Sequence, residues 1–522
     1  MRQMWQCILH HRWKVVMGLR SLHKPHQNVR YQSSTVKSSI SERHLQAAKP
    51  FSSIPGPIRL PVVGTLLPYK LGLKTSLTYH EEVCKLYHKY GPLVRENFGS
   101  RTVIHVFDPA DIRAIYESDG RTPYVTPLQD TTLSYRQHKN MSLGLGYLNG
   151  EEWYQLRRAV QPAMLRPKET SYYFALQDSV AKTAVEKLQE VNQEYSSKLH
   201  LFIGKWILES ASKCCLEKSL GCFSGGDKED LAQKMVQADI EIFKLAGERK
   251  FSLQLHQFFR TQKSNKLHKA QDFFYGESLK NIFETMDEIK SLVAEKKLKD
   301  GQFKFLAYLM SLEDISEKDV VTVCLSVFFN ALSTTAPTLL ANLYCLALNP
   351  DVQERLYQEI KTHVNPDVSL TVHVVNKLHY LKAFIKEVFR FYPIGEAVQR
   401  ILQKDLVLSG YHVPAGTCVD LNAYIWLRSN HYFKDPDTLC PERWLRDSSK
   451  TAKIDPYILN PFSIGTRMCP GRRFAEQDLY VGLCRLLLKF QVATSENVPP
   501  HQEWNILLRP KSPLPMQFNL RE

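Results

Sequence analysis

Acidic residues are missing from the first 41 positions of this 522-residue chain, which carry seven Lys or Arg before the first acid, Glu42. The formal charge is +15, so nearly half of the excess sits in this leader, and little is left to argue for a basic nucleic-acid-binding surface. No run approaches the roughly 18 to 20 apolar residues that a membrane-spanning helix needs, so neither an N-terminal anchor nor a secretory route is expected. Cysteine pairs are lacking too. The eleven cysteines lie at 7, 84, 214, 215, 222, 324, 345, 418, 440, 469 and 484, with no C-x-x-C pair. That spacing excludes a disulfide framework and a zinc site, and it suits a reducing compartment. No internal repeat and no low-complexity tract interrupts the chain.

The leader also holds Ser21, Ser33, Ser34, Ser38, Ser39 and Ser41 among short apolar pieces, the composition of a mitochondrial transit peptide, with a disordered basic tail as the alternative. Residues 1–45 are therefore assigned to a transit peptide, which implies the mitochondrial matrix. Residues 46–65 form a stiff lead-in, in which the stretch from Ile54-Pro55-Gly56-Pro57 through Pro61 and Gly64 cannot be helical. Residues 66–522 are one folded domain, and the 43% hydrophobic content is enough for a large core.

The expected fold class is mainly α with a small β region. Val and Ile between turn residues predict strands within Pro92–Phe107, and Asp420–Ile425 predicts another. The clearest helix is 316–349, opened by Ser316 and Asp319 in capping-box spacing and closed by Asn349-Pro350. Helical periodicity also runs through Leu378, Leu381, Phe384, Ile385 and Val388.

The chemistry concentrates at Pro461-Phe462-Ser463-Ile464-Gly465-Thr466-Arg467-Met468-Cys469-Pro470-Gly471-Arg472-Arg473-Phe474, followed by an apolar helical pattern through Leu488. Cys469 thus precedes a helix N-terminus, where unpaired N–H groups and the helix dipole are expected to lower the thiol pKa and hold the thiolate that a haem iron needs. Gly465 and Gly471 let the backbone turn and approach a flat macrocycle, and Arg467 can meet a propionate. A buried structural cysteine is the bland reading, but Phe-x-x-Gly-x-Arg-x-Cys-x-Gly specifies five residues and seldom arises by accident.

On these residues the sequence resembles the cytochrome P-450 superfamily of haem-thiolate monooxygenases, and the resemblance covers nearly the whole chain after residue 50. It implies a single large P-450 fold with the long helix over a haem b, and Cys469 as the axial iron ligand. Phe462, Gly465 and Gly471 would shape the ligand loop. Glu387 and Arg390, an E-x-x-R pair ahead of Phe391-Tyr392-Pro393, would form a buried ionic network with Arg443 of Pro441-Glu442-Arg443-Trp444. Trp153 and Arg157 match the family's W-x-x-x-R helix, where both would bind one propionate, and Arg400 stands at another propionate position.

The resemblance breaks at the oxygen-activation helix, where Asn330-Ala331-Leu332-Ser333-Thr334-Thr335 retains the proton-relaying Thr334 but places Ser333 where relatives have an acid. Pro337 predicts a kink there.

Lys382, Lys386 and Arg473 match the positions at which mitochondrial members receive an acidic ferredoxin of adrenodoxin type, itself reduced by an NADPH-dependent reductase. Phe251, Leu253, Leu255, Phe258 and Phe259, mixed with Arg260, Lys263, Lys266 and Lys269, suit peripheral contact with the inner membrane. Residues 121–147 and Ile394–Val398 match the pocket walls, with Phe329 facing the pocket from the long helix. Glu396 in that wall either accepts from a substrate hydroxyl or, the more ordinary case, points to solvent. The implied function is hydroxylation of a hydrophobic substrate, a steroid or sterol and in the narrowest reading an ecdysteroid. The alternatives are a haem-thiolate isomerase or dehydratase needing no external electrons, a xenobiotic-oxidising monooxygenase, and a haem-binding protein without catalysis.

Overall fold

The hydroxyl of Ser316 accepts from the Asp319 amide while the Asp319 carboxylate accepts from the Ser316 amide, a reciprocal cap that starts a helix running from Glu317 to Leu348. At 1.5 Å per residue this helix is about 48 Å long, as its capping signals predict. The structure, a computed structural model, describes residues 47–521 except 62, 100, 191–197, 253–260, 447–453, 497–500 and 512–513. The expected transit peptide, residues 1–45, lies outside the described residues.

From Ala48 onward the chain forms one unit. It begins with α1 (Tyr79–Tyr90), the hairpin β1 (Leu93–Phe98) and β2 (Arg101–Val106), α2 (Pro109–Ser118) and α3 (Asp130–His138). The helical body follows as α4 (Gly150–Leu165), α5 (Tyr173–Glu190), α6 (Leu199–Leu216), α7 (Gly226–Lys250), α8 (Gln262–Ala294), α9 (Lys304–Met310), the long α10 (Glu317–Leu348) and α11 (Pro350–His363). Then come α12 (Val372–Lys377), α13 (His379–Phe391), β3 (Val398–Ile401), β4 (Leu406–Leu408), β5 (Tyr411–Val413) and β6 (Cys418–Leu421). The chain closes with α14 (Arg472–Lys489), β7 (Phe490–Ala493), β8 (Gln502–Asn505), β9 (Leu507–Pro510) and β10 (Gln517–Leu520).

Helix α10 packs against α6, α8 and α14, and most of its residues are buried from Val320 to Ala347. This corrects the expectation that no run is apolar enough to cross a bilayer. An 18-residue window of α10 reaches a mean hydropathy of 1.5, yet 72% of that window is buried inside the protein. A helix apolar all round is here the core of a large domain. It continues unbroken through Pro337, whose missing N–H removes the bond to the Ser333 carbonyl.

The main sheet has the order β1-β2-β6-β3, with β2 parallel to β6 through Ile104 opposite Val419. The strand expected at 420–425 is shifted. Pairing holds Cys418–Leu421, and Ala423–Arg428 winds into a 3₁₀ segment instead. The proline-rich lead-in is laid along β1, where Arg95 N–H donates to the Pro55 carbonyl at 2.8 Å. Only glycine fits next to it, since a Cβ on Gly56 would stand 2.0 Å from the Arg95 carbonyl oxygen.

Candidate haem-thiolate site

The loop before α14 holds Cys469 through its own backbone: the Cys469 amide donates to the Phe462 carbonyl at 2.8 Å, and the Met468 amide to Gly465 at 3.1 Å. Gly465 has φ +79°, a left-handed conformation that side chains strain, so this turn requires glycine. Gly471 has an ordinary backbone, and a Cβ there would only touch the Cys469 sulfur at 3.9 Å. Phe462 is wedged between Phe389, edge-on at 5.4 Å, and the Arg472 guanidinium at 5.6 Å.

The thiol of Cys469 corrects one expectation. Burial is the largest influence and pushes its pKa up; the backbone N–H groups of Gly471 and Arg472 and the charges of Arg157 and Arg472 pull the other way without winning. The helix start therefore favours the thiolate but does not create it alone. A coordinated iron would supply the remainder, because a ligating thiol is deprotonated outright.

Around this sulfur the tertiary structure gathers cations. Arg157, 5% exposed on α4, donates to Gln161 at 3.1 Å and feels the charge of Cys469. Arg400, 2% exposed on β3, pairs with Asp119 at 2.7 Å and leaves Nη2 buried without a partner. Arg467 lies 4.4 Å over the ring of Trp153, donates through Nη2 to the Leu148 carbonyl at 2.7 Å and to Asn149 at 3.2 Å, and leaves Nη1 buried and unpartnered. Burial, then the neighbouring charges of Arg400 and Arg157, pull Arg467 down to about 9. Three crowded guanidinium groups with Asp119 as the acid facing them, and two N–H donors left over, fit a group that brings its own carboxylates. These residues fit a haem.

The long helix carries one open stripe. Ser326, Val327, Asn330, Ala331 and Thr334 are half-buried or exposed at helical spacing, whereas their neighbours are buried. Thr334 donates to the Asn330 carbonyl at 2.7 Å from this stripe. Ser333 is 1% exposed, off the stripe, and donates to the same carbonyl at 3.2 Å.

Behind the loop, the Glu387 carboxylate accepts from Arg390 at 3.0 and 2.7 Å, from Arg443 at 3.3 Å, from the Trp444 indole at 2.9 Å and from the Cys440 amide at 3.0 Å. On the outer side of α13, Lys386 stands 4.1 Å over the Trp444 ring and Lys382 donates to Asn376 at 3.0 Å. Arg473, just past the cysteine loop, is exposed.

Several expectations about the pocket change. Glu396 does not point to solvent: it is 9% exposed and accepts from the Trp504 indole at 2.7 Å. Phe329 is 3% exposed and packs among Phe243, Phe274 and Tyr275, with centroids 5.2 to 5.7 Å away, so it stands off the open stripe of α10. In the apolar and basic segment 251–275, Phe251 is buried against Tyr79 and Trp504, and Lys263 and Lys266 pair with Glu248 and Glu241. Residues Leu253, Leu255, Phe258, Phe259 and Arg260 lie outside the described residues. Asp119, Asn149 and Trp444 were not foreseen as site residues, because only long-range contacts connect them to it.

A family profile described as cytochrome P450 matches residues 54–518. A Caenorhabditis elegans protein named probable cytochrome P450 CYP44 is 38% identical over 90% of this chain and 94% of its own length. The mitochondrial 1,25-dihydroxyvitamin D(3) 24-hydroxylase of Mus musculus is 29% identical over 90% of this chain and 89% of its own. A Drosophila melanogaster protein named probable cytochrome P450 12a5, mitochondrial, is likewise 29% identical, over 90% and 91%. The chain belongs to the cytochrome P450 family of haem-thiolate monooxygenases.

Proposed function

We propose that this chain is a mitochondrial monooxygenase that hydroxylates a hydrophobic substrate of the steroid or sterol class, with electrons from an acidic ferredoxin served by an NADPH-dependent reductase. The observation that carries the reading is the convergence of Cys469 with Arg157, Arg400 and Arg467, two of which hold unpartnered buried donors. When bound, the haem supplies dioxygen activation, and thiolate ligation favours O–O cleavage.

The chain's residues do the rest. Cys469 holds the iron, with Phe462, Gly465 and Gly471 shaping its loop. Trp153, Arg157, Arg400 and Arg467 hold the propionates, and the network of Glu387, Arg390 and Arg443 keeps the wall behind the loop rigid. Thr334 holds a hydroxyl proton on the open stripe of α10, where it can be delivered toward the reacting oxygen. Ser333, off that stripe, supports Thr334 through their shared acceptor, the Asn330 carbonyl.

Lys382, Lys386 and Arg473 offer positive charge to the ferredoxin. The acid-free leader and the names of the mouse and fruit-fly relatives support a mitochondrial location, on the matrix side of the inner membrane. The apolar and basic composition of 251–275 supports peripheral contact with that membrane. The secosteroid named for the mouse relative supports the substrate class. The isomerase reading rests on the missing acid at position 333, and the basic surface around Lys386 speaks against it.

The test is the carbon monoxide difference spectrum of the reduced protein, followed by turnover with and without ferredoxin. A thiolate-type Soret band and ferredoxin-dependent product are expected. An imidazole-type band would overturn Cys469 as the ligand, and product formation without reducing equivalents would favour the isomerase.

A further inference from the structure

A second group of unsatisfied charges, apart from the arginines around Cys469, lies where α7 meets the β8–β9 hairpin. On α7, Asp239, Phe243 and Gly247 recur at intervals of four and share one face. That face meets the β8–β9 hairpin: a Cβ on Gly247 would stand 3.2 Å from the Asn505 Cα, and the Arg509 guanidinium lies 4.8 Å over the Phe243 ring.

Arg509 therefore reaches Asp239, but only to 3.7 Å, beyond hydrogen-bond length. Asp239 is 2% exposed, yet its Oδ1 has no partner, and neither do Nε and Nη2 of Arg509. On the adjoining face of α8, Gln271 is fully buried with both amide atoms unpartnered, and the Tyr275 phenol feels the charge of Asp239. Buried charges left half-paired are costly, and a well-formed structural ion pair would close the gap.

The surroundings indicate what fills it. Phe243, Phe274 and Phe329 make the adjacent wall apolar. Strand residues two apart share a face, so Arg509 lies on the side of β9 from which Leu507 lines a small cavity with Ala397, Gln399 and Glu396. With 3.7 Å between the Arg509 Nη2 and an Asp239 carboxylate oxygen, one oxygen standing beside the pair is within about 2.7 to 2.9 Å of both. Such an oxygen accepts from Arg509 and donates to Asp239, which only a hydroxyl or a water does. Burial pushes the Asp239 carboxyl up to about 7 despite Arg509, as expected of a charge not well paired by its neighbour.

We propose that Asp239 and Arg509 form the polar end of the substrate pocket and read a hydroxyl on an otherwise apolar substrate. The inference rests on the proposed monooxygenase reading and narrows its substrate to hydroxylated steroids or sterols. Asp239 and Arg509 act on binding and orientation, so they are specificity residues.

The test uses the full haem-loaded chain and three probes: cholest-5-ene, cholesterol and 25-hydroxycholesterol. Binding is followed by the spin-state shift of the Soret band and by the ligand-induced rise in melting temperature. The wild type should bind at least one hydroxylated probe about tenfold more tightly than cholest-5-ene, the scale of one satisfied polar contact. Asp239→Asn and Arg509→Gln should each shrink that preference to within about twofold while leaving the affinity for cholest-5-ene unchanged, and Arg509→Lys should keep part of it. A wild type without preference overturns the proposal, as do variants that keep the preference or weaken all three probes equally. If Asp239→Asn does not fold, the two Arg509 variants decide. The carbon monoxide band separates the two readings: a thiolate band with no hydroxyl preference keeps the monooxygenase and removes the hydroxyl site.

Discussion

Arg390 grips the carboxylate of Glu387 with two hydrogen bonds, of 3.0 and 2.7 Å, and both side chains are wholly shut off from solvent. The remaining Arg390 donors go to the carbonyls of Leu427, Pro436 and Thr438, so the pair ties α13 to the irregular stretch that precedes the cysteine loop. Removing the carboxylate strands two buried guanidinium groups, since Arg443 uses it as well. Glu387→Ala should destabilise the fold by about 3 to 5 kcal/mol and prevent haem retention. Urea unfolding and haem content measure this, and a haem-loaded variant with the wild-type midpoint would contradict it.

Arg467 tests the propionate assignment. Arg467→Gln removes one charge-assisted contact, worth about 1.5 to 3 kcal/mol, and should speed haem loss to apomyoglobin by roughly 10- to 100-fold without moving the thiolate Soret band. Equal rates in variant and wild type would take Arg467 out of the haem cradle.

Thr334 and Ser333 bond to one carbonyl but only Thr334 stands on the open stripe of α10. Thr334→Ala should lower product formed per NADPH by about tenfold and raise hydrogen peroxide release, while Thr334→Ser largely restores coupling. Ser333→Ala should change the ratio by less than about twofold. A larger loss at Ser333 would make it the missing proton donor.

Reversing charge at Lys382 or Lys386 should raise the ferredoxin concentration for half-maximal turnover by about tenfold at low salt and leave the haem spectrum intact. High salt should erase most of the difference. Unchanged ferredoxin dependence would place the partner elsewhere.

Asp478 on α14 gives a pH prediction. Burial pushes its carboxyl up to about 7 against the hydrogen bond from Ser210. In the unfolded chain it titrates near 4. Between those values the folded protein keeps a proton that the unfolded chain has released, so this group's contribution to stability falls as pH rises through the window, by at most about 1.4 kcal/mol per pH unit. Asp478→Asn should therefore lose less melting temperature than the wild type between pH 5 and pH 8. Parallel curves for the two proteins would show that Asp478 is ionised throughout.

The amino-acid order by itself determined the features whose signals are local. The reciprocal cap at Ser316 and Asp319, the cysteine loop from Phe462 to Gly471, and Glu387 three residues before Arg390 are written in short, regular spacings that backbone geometry turns directly into contacts. The tertiary structure alone decided what those local pieces meet. Asp119 reaches Arg400 across 281 positions and Asn149 reaches Arg467 across 318, and no spacing rule predicts either. It also turned Glu396 inward to Trp504, stacked Phe329 on Phe243, and set the Cys469 thiol by burial more than by its helix. Those outcomes depend on desolvation and on the packing of distant segments, which exist only once the chain has folded.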